Sequence, residues 1–299
     1  MTTIDLSRLA APDAIEALDF ETLFAAFKAR FQTSWDAKRA ADPTLPAYDV
    51  GALETDPVVI VGEAWSYLRL LDRARVNDGI RSVLAPLARG TNLDNVVARL
   101  GVERLIVTPA TDTASAVMES DARLLMRYLL AFSRPSAGSA EGYLYAAYTA
   151  WPGLLHAAVN GRAVHGRRGD VDLVLAGPGG RDATNGEMTL VRDAAQLIKP
   201  EAHGLTVMRA TRRTYEVAGT VSVAAGPDAE TVRAEAQSRI TEAATDRLRI
   251  GAEVPVALLE GAAYGLSIIR ADLSSPSADI PADRYTIPVM ASIALQVTQ

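Results

Sequence analysis

Apolar residues recur along the first third of the chain at helical rather than strand spacing. Phe20, Phe24, Phe27, Phe31 and Trp35 follow at intervals of four, three, four and four, which places them on one helix face with Leu23 beside them. Burying five such rings contributes on the order of 15 kcal/mol before entropy costs, so the stripe must meet another apolar surface. That surface lies either in its own domain or in a helical bundle shared with another chain. Past a loop from Ala41 to Gly51 with Pro43 and Pro46, Asp56-Pro57 predicts a second helix start, because proline at the first helical position forgoes an amide that has no partner there. Its apolar row is Val58, Val61, Trp65, Leu68, Val76, Ile80, Val83 and Leu87, open to interruption at Gly79 or Pro86, while Glu63, Arg69, Asp72, Arg73 and Arg75 read as a solvated face. Thr91 to Asp94 then reads as a capping-box-like start, and Gly101 as a left-handed stop, for a short helix that turns Leu93, Val96, Val97 and Leu100 inward.

From Met118 to Tyr148 the pattern is two short helices broken by a turn. Ser120 and Ser139 stand at N-cap positions, where their hydroxyls accept from first-turn amides, and Pro135 and Gly138 interrupt the helix between them. The result is a rigid elbow, expected to set the angle between the helical region and the α+β region. Beyond it the period shortens. Strands are expected at Leu154 to Val159, Val171 to Ala176, Leu205 to Arg209, Tyr215 to Ala225, Gly265 to Ala271 and Tyr285 to Val297. Pro288 pushes the last toward an edge or a bulge. Helices are expected at Glu187 to Ile198, Asp228 to Arg247 and Val256 to Tyr264, and a polar loop at Ser274 to Arg284. The order predicts an α+β protein: a helical N-terminal region over 1–112, then two small α+β domains in series, 113–208 containing the elbow and 209–299.

Composition narrows the class without naming a function. With 49% hydrophobic and 22% charged residues in 299, this is ordinary globular material of two or three domains. A net charge of −6 offers nothing to nucleic acid, and the short basic run Arg162 to Arg168 does not reverse that. Lysine occurs only at 28, 38 and 199, a bias toward arginine that suits ion pairs at interfaces but follows equally from a GC-rich genome. The absence of cysteine excludes disulfides, thiolate catalysis and cysteine-held metal centres. Asp5, Arg8 and Asp13 leave no apolar core for a signal peptide near the start of the sequence. Gly142 to Gly161 lacks charge, yet Pro152-Gly153 splits it and Tyr143, Tyr145, Tyr148, His156 and Asn160 need polar partners, so it reads as a helix end and a buried strand rather than a membrane span.

A search for chemistry finds no constellation. His156, His165 and His203 fall on a strand, a basic turn and a loop, without metal-ligand spacing, and no nucleophile-elbow motif is present. Gly177-Pro-Gly-Gly180 follows a strand but lacks the lysine of a phosphate loop, and Pro178 removes an amide donor, so a tight turn is expected. The carboxylate pairs Glu119/Asp121 and Asp279/Asp283 are of a kind that chance supplies at this density. No catalytic, cofactor-binding or metal-binding residue is assigned.

The elbow also carries a pattern S-D...R...AGS...AY at Ser120, Asp121, Arg127, Ala137, Gly138, Ser139 and Tyr145. It resembles the signature of the baseplate J-like proteins of contractile phage tails. Ile4 to Glu21 and Ala88 to Arg104 are similar to segments of its P2-like members, whereas after about residue 150 strands and turns are shared but few signature residues. The resemblance implies a non-enzymatic virion structural protein of the tail baseplate, assembled in the host cytoplasm without a cofactor. Its copies would pair with one another and with an I-like baseplate wedge protein, and meet other baseplate and hub proteins in a ring around the hub. In that setting Phe20, Phe24, Phe27, Phe31 and Trp35 are the expected interface with the wedge partner, Ser120, Pro135, Gly138 and Ser139 a structural elbow, and the final strand of 209–299 a self-association edge. A baseplate-associated cell-wall hydrolase, a component of a tail-like injection system and a monomeric binding module are the alternatives.

Overall fold

The computed structural model describes residues 12–51, 53–223, 228–265 and 267–298. The start of the Ile4 to Glu21 segment and the end of the strand expected at Tyr215 to Ala225 therefore lie outside the described residues, as does Leu266 in the Gly265 to Ala271 strand. The chain divides into two compact units, Met1–Gly101 and Val102–Gln299.

The first unit is helical. α1 (Phe20–Ala41) starts at Asp19, whose carboxylate accepts from the amides of Glu21 and Thr22, and α2 (Pro57–Val83) starts at Asp56 with Pro57 in the first turn. α2 runs through Gly79 without a break and stops at Leu84, ahead of Pro86. α1 packs along α2 as an antiparallel hairpin, fixed at the loop end where the Tyr48 hydroxyl donates to Asp56 at 2.7 Å. Near the other end the buried Asn77 side chain exchanges two hydrogen bonds with the backbone of Glu16, at 3.0 and 2.8 Å. α3 (Gly90–Val97) buries Leu93, Val96 and Val97, and a 3₁₀ turn then ends at Gly101 in the left-handed conformation, φ 64°. The capping expected of Thr91 is not made: the helix begins at Gly90 behind Arg89, with no side-chain cap, and the Thr91 carbonyl accepts from Asn95 instead.

The second unit is α+β. β1 (Ile106–Thr108) and β2 (Val117–Met118) form a short antiparallel ribbon, followed by α4 (Asp121–Ala131) and α5 (Ala140–Ala150). β3 (His156–Asn160), the short α6 (Arg162–His165), β4 (Asp170–Ala176), α7 (Asn185–Ile198) and β5 (Gly204–Arg209) then build a sheet of order β3-β4-β5. β3 runs antiparallel to β4, and α7 makes the crossover that lets β5 run parallel to it. β4 is buried on both faces: Leu173 and Leu175 pack with Tyr143, Trp151 and Val191, whereas Val174 and Ala176 join Ala210, Ile250, Ile287 and Val289. That double burial is why its sequence from Val171 onward is apolar except at Asp172.

β6 (Thr211–Val223) leads into α8 (Ala229–Asp246), α9 (Val256–Ala263), β7 (Ile268–Ser275) and β8 (Thr286–Thr298). The sheet order is β7-β6-β8, with β6 antiparallel to β7 and parallel to β8. Tyr215, Val217 and Val221 turn one face toward Val232, Ala236 and Ile240 of α8. β8 is an edge strand, which tolerates Pro288, and a register irregularity lies at Tyr215/Glu216 of its partner. Gly142 to Gly161 becomes the latter part of α5 and β3, and no described helix is long and apolar enough to cross a membrane.

Candidate interaction surfaces

The aromatic stripe lies on α1, and its five rings are half-buried. Its contacts are with its own unit: Phe27 meets Trp65 of α2 with ring centroids 5.5 Å apart, and Phe31 meets Tyr48 edge-on at 4.9 Å. Trp35 donates its indole N–H to the Pro46 carbonyl at 3.0 Å. The close approach depends on Gly62, where an added Cβ would lie 2.5 Å from Phe27 and 3.1 Å from Phe24. A cleft of about 270 Å³ remains beside the stripe, lined by Lys28, Phe31, Gln32, Tyr48 and Val59 among others. The Tyr48 hydroxyl holds the Asp56 carboxyl below its ordinary pKa and so favours the charged cap, while burial pushes the Tyr48 phenol up.

Among the described residues an exposed apolar face lies on α2, where the sequence pattern predicts an apolar row. Ile60, Val61, Tyr67, Leu68 and Leu71 are exposed, Leu68 by 61% and Val61 by 60%. Only Val59, Gly62, Ser66 and Asn77 of its described residues are buried.

The elbow is built by its caps. Ser120 accepts from the Arg123 amide at 3.3 Å, and Ser139 accepts from the Gly142 amide at 3.1 Å while donating to the Ser133 carbonyl. Pro135 sits in the turn, and Gly138 has φ 73°, with an added Cβ only 2.6 Å from the His203 ring and 2.9 Å from Pro200. A side chain there meets both backbone strain and a wall. The Tyr143 hydroxyl closes the same contact, 3.3 Å from His203 Nδ1. Both helices belong to the second unit, so what the elbow orients is α4 against α5.

Beside the elbow lies a group that the sequence pattern does not predict. Arg127 and Glu119 form an ion pair at 2.7 Å with both side chains 2% exposed. Arg127 also donates to the Glu103 carbonyl at 3.0 Å and to Thr149 Oγ1 at 3.3 Å, with its guanidinium 5.8 Å from the Tyr145 ring. Glu119 accepts from the Leu105 amide, and Arg104 binds both the Glu119 carbonyl and Asp121. Glu119 and Asp121, a chance pair by sequence, thus tie the β1–β2 ribbon to α4 and α5. Arg127 among Leu124 and Ala131 on the buried face of α4 was the available signal.

Two further polar groups hold the two three-stranded sheets of the second unit together. Asp172, 1% exposed, accepts two bonds from Arg167 and one from the Tyr285 hydroxyl at 2.8 Å. His156 Nδ1 accepts from the Ile250 amide at 3.3 Å, and burial, with Arg249 and Arg123 nearby, lowers its pKa from 6.5 to about 4. Gly177 to Gly180 is a tight turn whose Gly177 amide is spent on the Arg181 carbonyl, at 2.8 Å. Among the described residues no cluster of three or more histidine or carboxylate side chains is placed to hold a metal.

Residues 54–111, which span α2, α3 and β1, match the baseplate J-like N-terminal domain. The chain is 31% identical to baseplate protein J of Escherichia phage P2 over 300 residues, covering 94% of this chain and 93% of that protein. A chain in the cryo-EM structure of the anti-feeding prophage baseplate, 6-fold symmetrised, aligns at TM-score 0.41 and 13% identity, over 61% of this chain and 47% of that one.

Proposed function

We propose, because this chain belongs to the baseplate J-like protein family, that it is a structural, non-enzymatic wedge component of the baseplate of a contractile phage tail. In this reading copies pair with one another and with an I-like wedge protein, and the wedges close into a ring around the hub. Assembly takes place in the host cytoplasm and ends in the virion. The observation that carries the reading is the α1–α2 hairpin. Its 22- and 27-residue helices bury Leu23, Val59, Gly62, Ser66 and Asn77 and leave an apolar face of α2 in water. Helices gain most of their stability from packing an amphipathic face, so such a hairpin is completed by further helices. The half-buried rims of Phe20, Phe24, Phe27, Phe31 and Trp35 on α1 are a second part of the proposed interface. The division at 112 and 208, with 209–299 as a self-association module, is part of the proposal, the stiff second unit acting as a lever.

Coexpression with the I-like protein of the same tail provides the test. A stoichiometric complex is expected by size exclusion, and Leu68→Asp on the outer face of α2 should abolish it while leaving the circular dichroism of the chain unchanged. A wild-type chain that never co-elutes with its tail neighbours overturns the reading.

A further inference from the structure

His156 stands where three parts of the second unit meet. It is the first residue of β3, Arg123 reaches it from α4, and the loop that joins α8 to α9 brings Arg249 and Ile250 against it. Because the Ile250 amide donates to Nδ1, at 3.3 Å, the neutral ring carries its proton on Nε2. That N–H has no acceptor among the described residues, and neither has the guanidinium of the exposed Arg249. Arg123 donates one N–H to the Leu154 carbonyl and lies over the Tyr148 ring, 4.6 Å from its centroid, which leaves further N–H groups for another acceptor. Tyr148 faces the same strand from α5, its hydroxyl accepting from the Ala157 amide at 3.1 Å. The charges that act on the imidazole are both positive: after burial itself, Arg249 and then Arg123 lower its pKa to about 4, and no carboxylate of the described residues offsets them. Elsewhere in this unit arginines that reach into the fold meet acids, as Arg127 meets Glu119 at 2.7 Å and Arg167 meets Asp172 at 2.6 Å.

We propose that Arg123, His156 and Arg249 form a binding site for one oxyanion, which clips β3 and α4 to the loop between α8 and α9. Two guanidinium forks and an imidazole N–H are the donors that a phosphate, a sulfate or a carboxylate accepts from, and an anion between them cancels the repulsion that the three otherwise exert on one another. Its charge opposes that of the two arginines at the ring, so anion binding and ring protonation favour each other, each by the same factor. The ligand is either a free inorganic oxyanion or the carboxylate of a neighbouring chain, and the two sources present the same chemistry to the site.

Calorimetric titration of the full chain with sulfate, at neutral pH and constant ionic strength, should give one anion per chain with a dissociation constant below about 1 mM. Arg249→Gln, at an exposed position, should weaken binding by about tenfold or more while leaving the circular dichroism of the chain unchanged. NMR supplies a readout that belongs to this site alone. The His156 ring, identified by its loss in His156→Asn, should climb in pKa from about 4 toward 6.5 as sulfate is added, and should not do so in Arg249→Gln. Titration with acetate and with inorganic phosphate separates the sources: acetate binding that depends on Arg249 assigns the site to a carboxylate of a neighbouring chain, and binding of sulfate and phosphate alone assigns it to a free inorganic anion. The absence of saturable binding of any of the three, binding indifferent to Arg249→Gln, or a His156 pKa that does not respond to the bound anion each overturns the proposal.

Discussion

At the scale of single residues, the buried Arg127–Glu119 pair is the most consequential feature of the second unit. Two charges withdrawn from water hold only while each has the other, so Arg127→Met should cost about 3–5 kcal/mol of unfolding free energy by denaturant titration. Adding Glu119→Gln, whose side-chain oxygen still accepts from the Leu105 amide, should recover a substantial part. No recovery would mean that the charge pairing is not what the pair contributes. His156 gives the molecule a pH dependence of defined sign. Its folded pKa of about 4 lies below the ordinary 6.5, so the fold binds fewer protons than the unfolded chain. The neutral ring's contribution is complete above pH 6.5 and is lost as pH falls toward 4. Chemical denaturation between those values should show stability falling, and His156→Asn, whose carboxamide oxygen can accept from the Ile250 amide, should flatten that limb; equal slopes would acquit the imidazole. The signature arginine was legible from sequence as a motif but its partner was not. The pairing depends on a ribbon whose strands of three and two residues are too short to carry a period.

Between elements, contact is controlled by glycines that look alike in the sequence. Gly62 lets the Phe27 ring lie against the α2 backbone, so Gly62→Ala should cost about 1–3 kcal/mol by overpacking. Gly261 in α9 has open space around its missing side chain, and Gly261→Ala should instead stabilise by roughly 0.5–1 kcal/mol. Thermal unfolding of the two variants should therefore shift in opposite directions, and shifts of one sign would contradict the packing described for α1 on α2. Helix identity was readable because caps and a 3.6-residue period act locally: Asp56-Pro57, Ser120 and Ser139 all stand where expected. Strand limits moved by up to four residues, as at β6, which begins at Thr211 rather than Tyr215, because ladder pairing rather than side-chain pattern decides where a strand starts. Which side of α2 faces solvent was not legible. The row Val58, Val61, Trp65, Leu68 reads as core, and only the position of α1 turns most of it outward.

At the scale of the whole molecule, function was legible from the signature around the elbow more than from any chemistry, and family membership rests on identity along nearly the full length. The α+β class was likewise open to reading, since the change from helical to strand spacing past the elbow marks it. The pairing order of the strands was not, because it rests on contacts distant in sequence. One such order reaches beyond the folded state. β6 lies in the middle of its sheet, and both neighbours, β7 and β8, come later in the chain, Thr211 waiting for Thr286. While the ribosome extends the chain through α8 and α9, a thirteen-residue, valine-bearing strand has emerged with both edges bare. Every chain cut short ahead of β7 leaves it in that condition, and one cut between β7 and β8 leaves the edge that β8 would cover bare. Premature stop codons in this last part of the gene should thus yield insoluble product instead of a shortened, soluble protein, and the pace of translation across α8 and α9 should set how heavily each nascent chain draws on host chaperones.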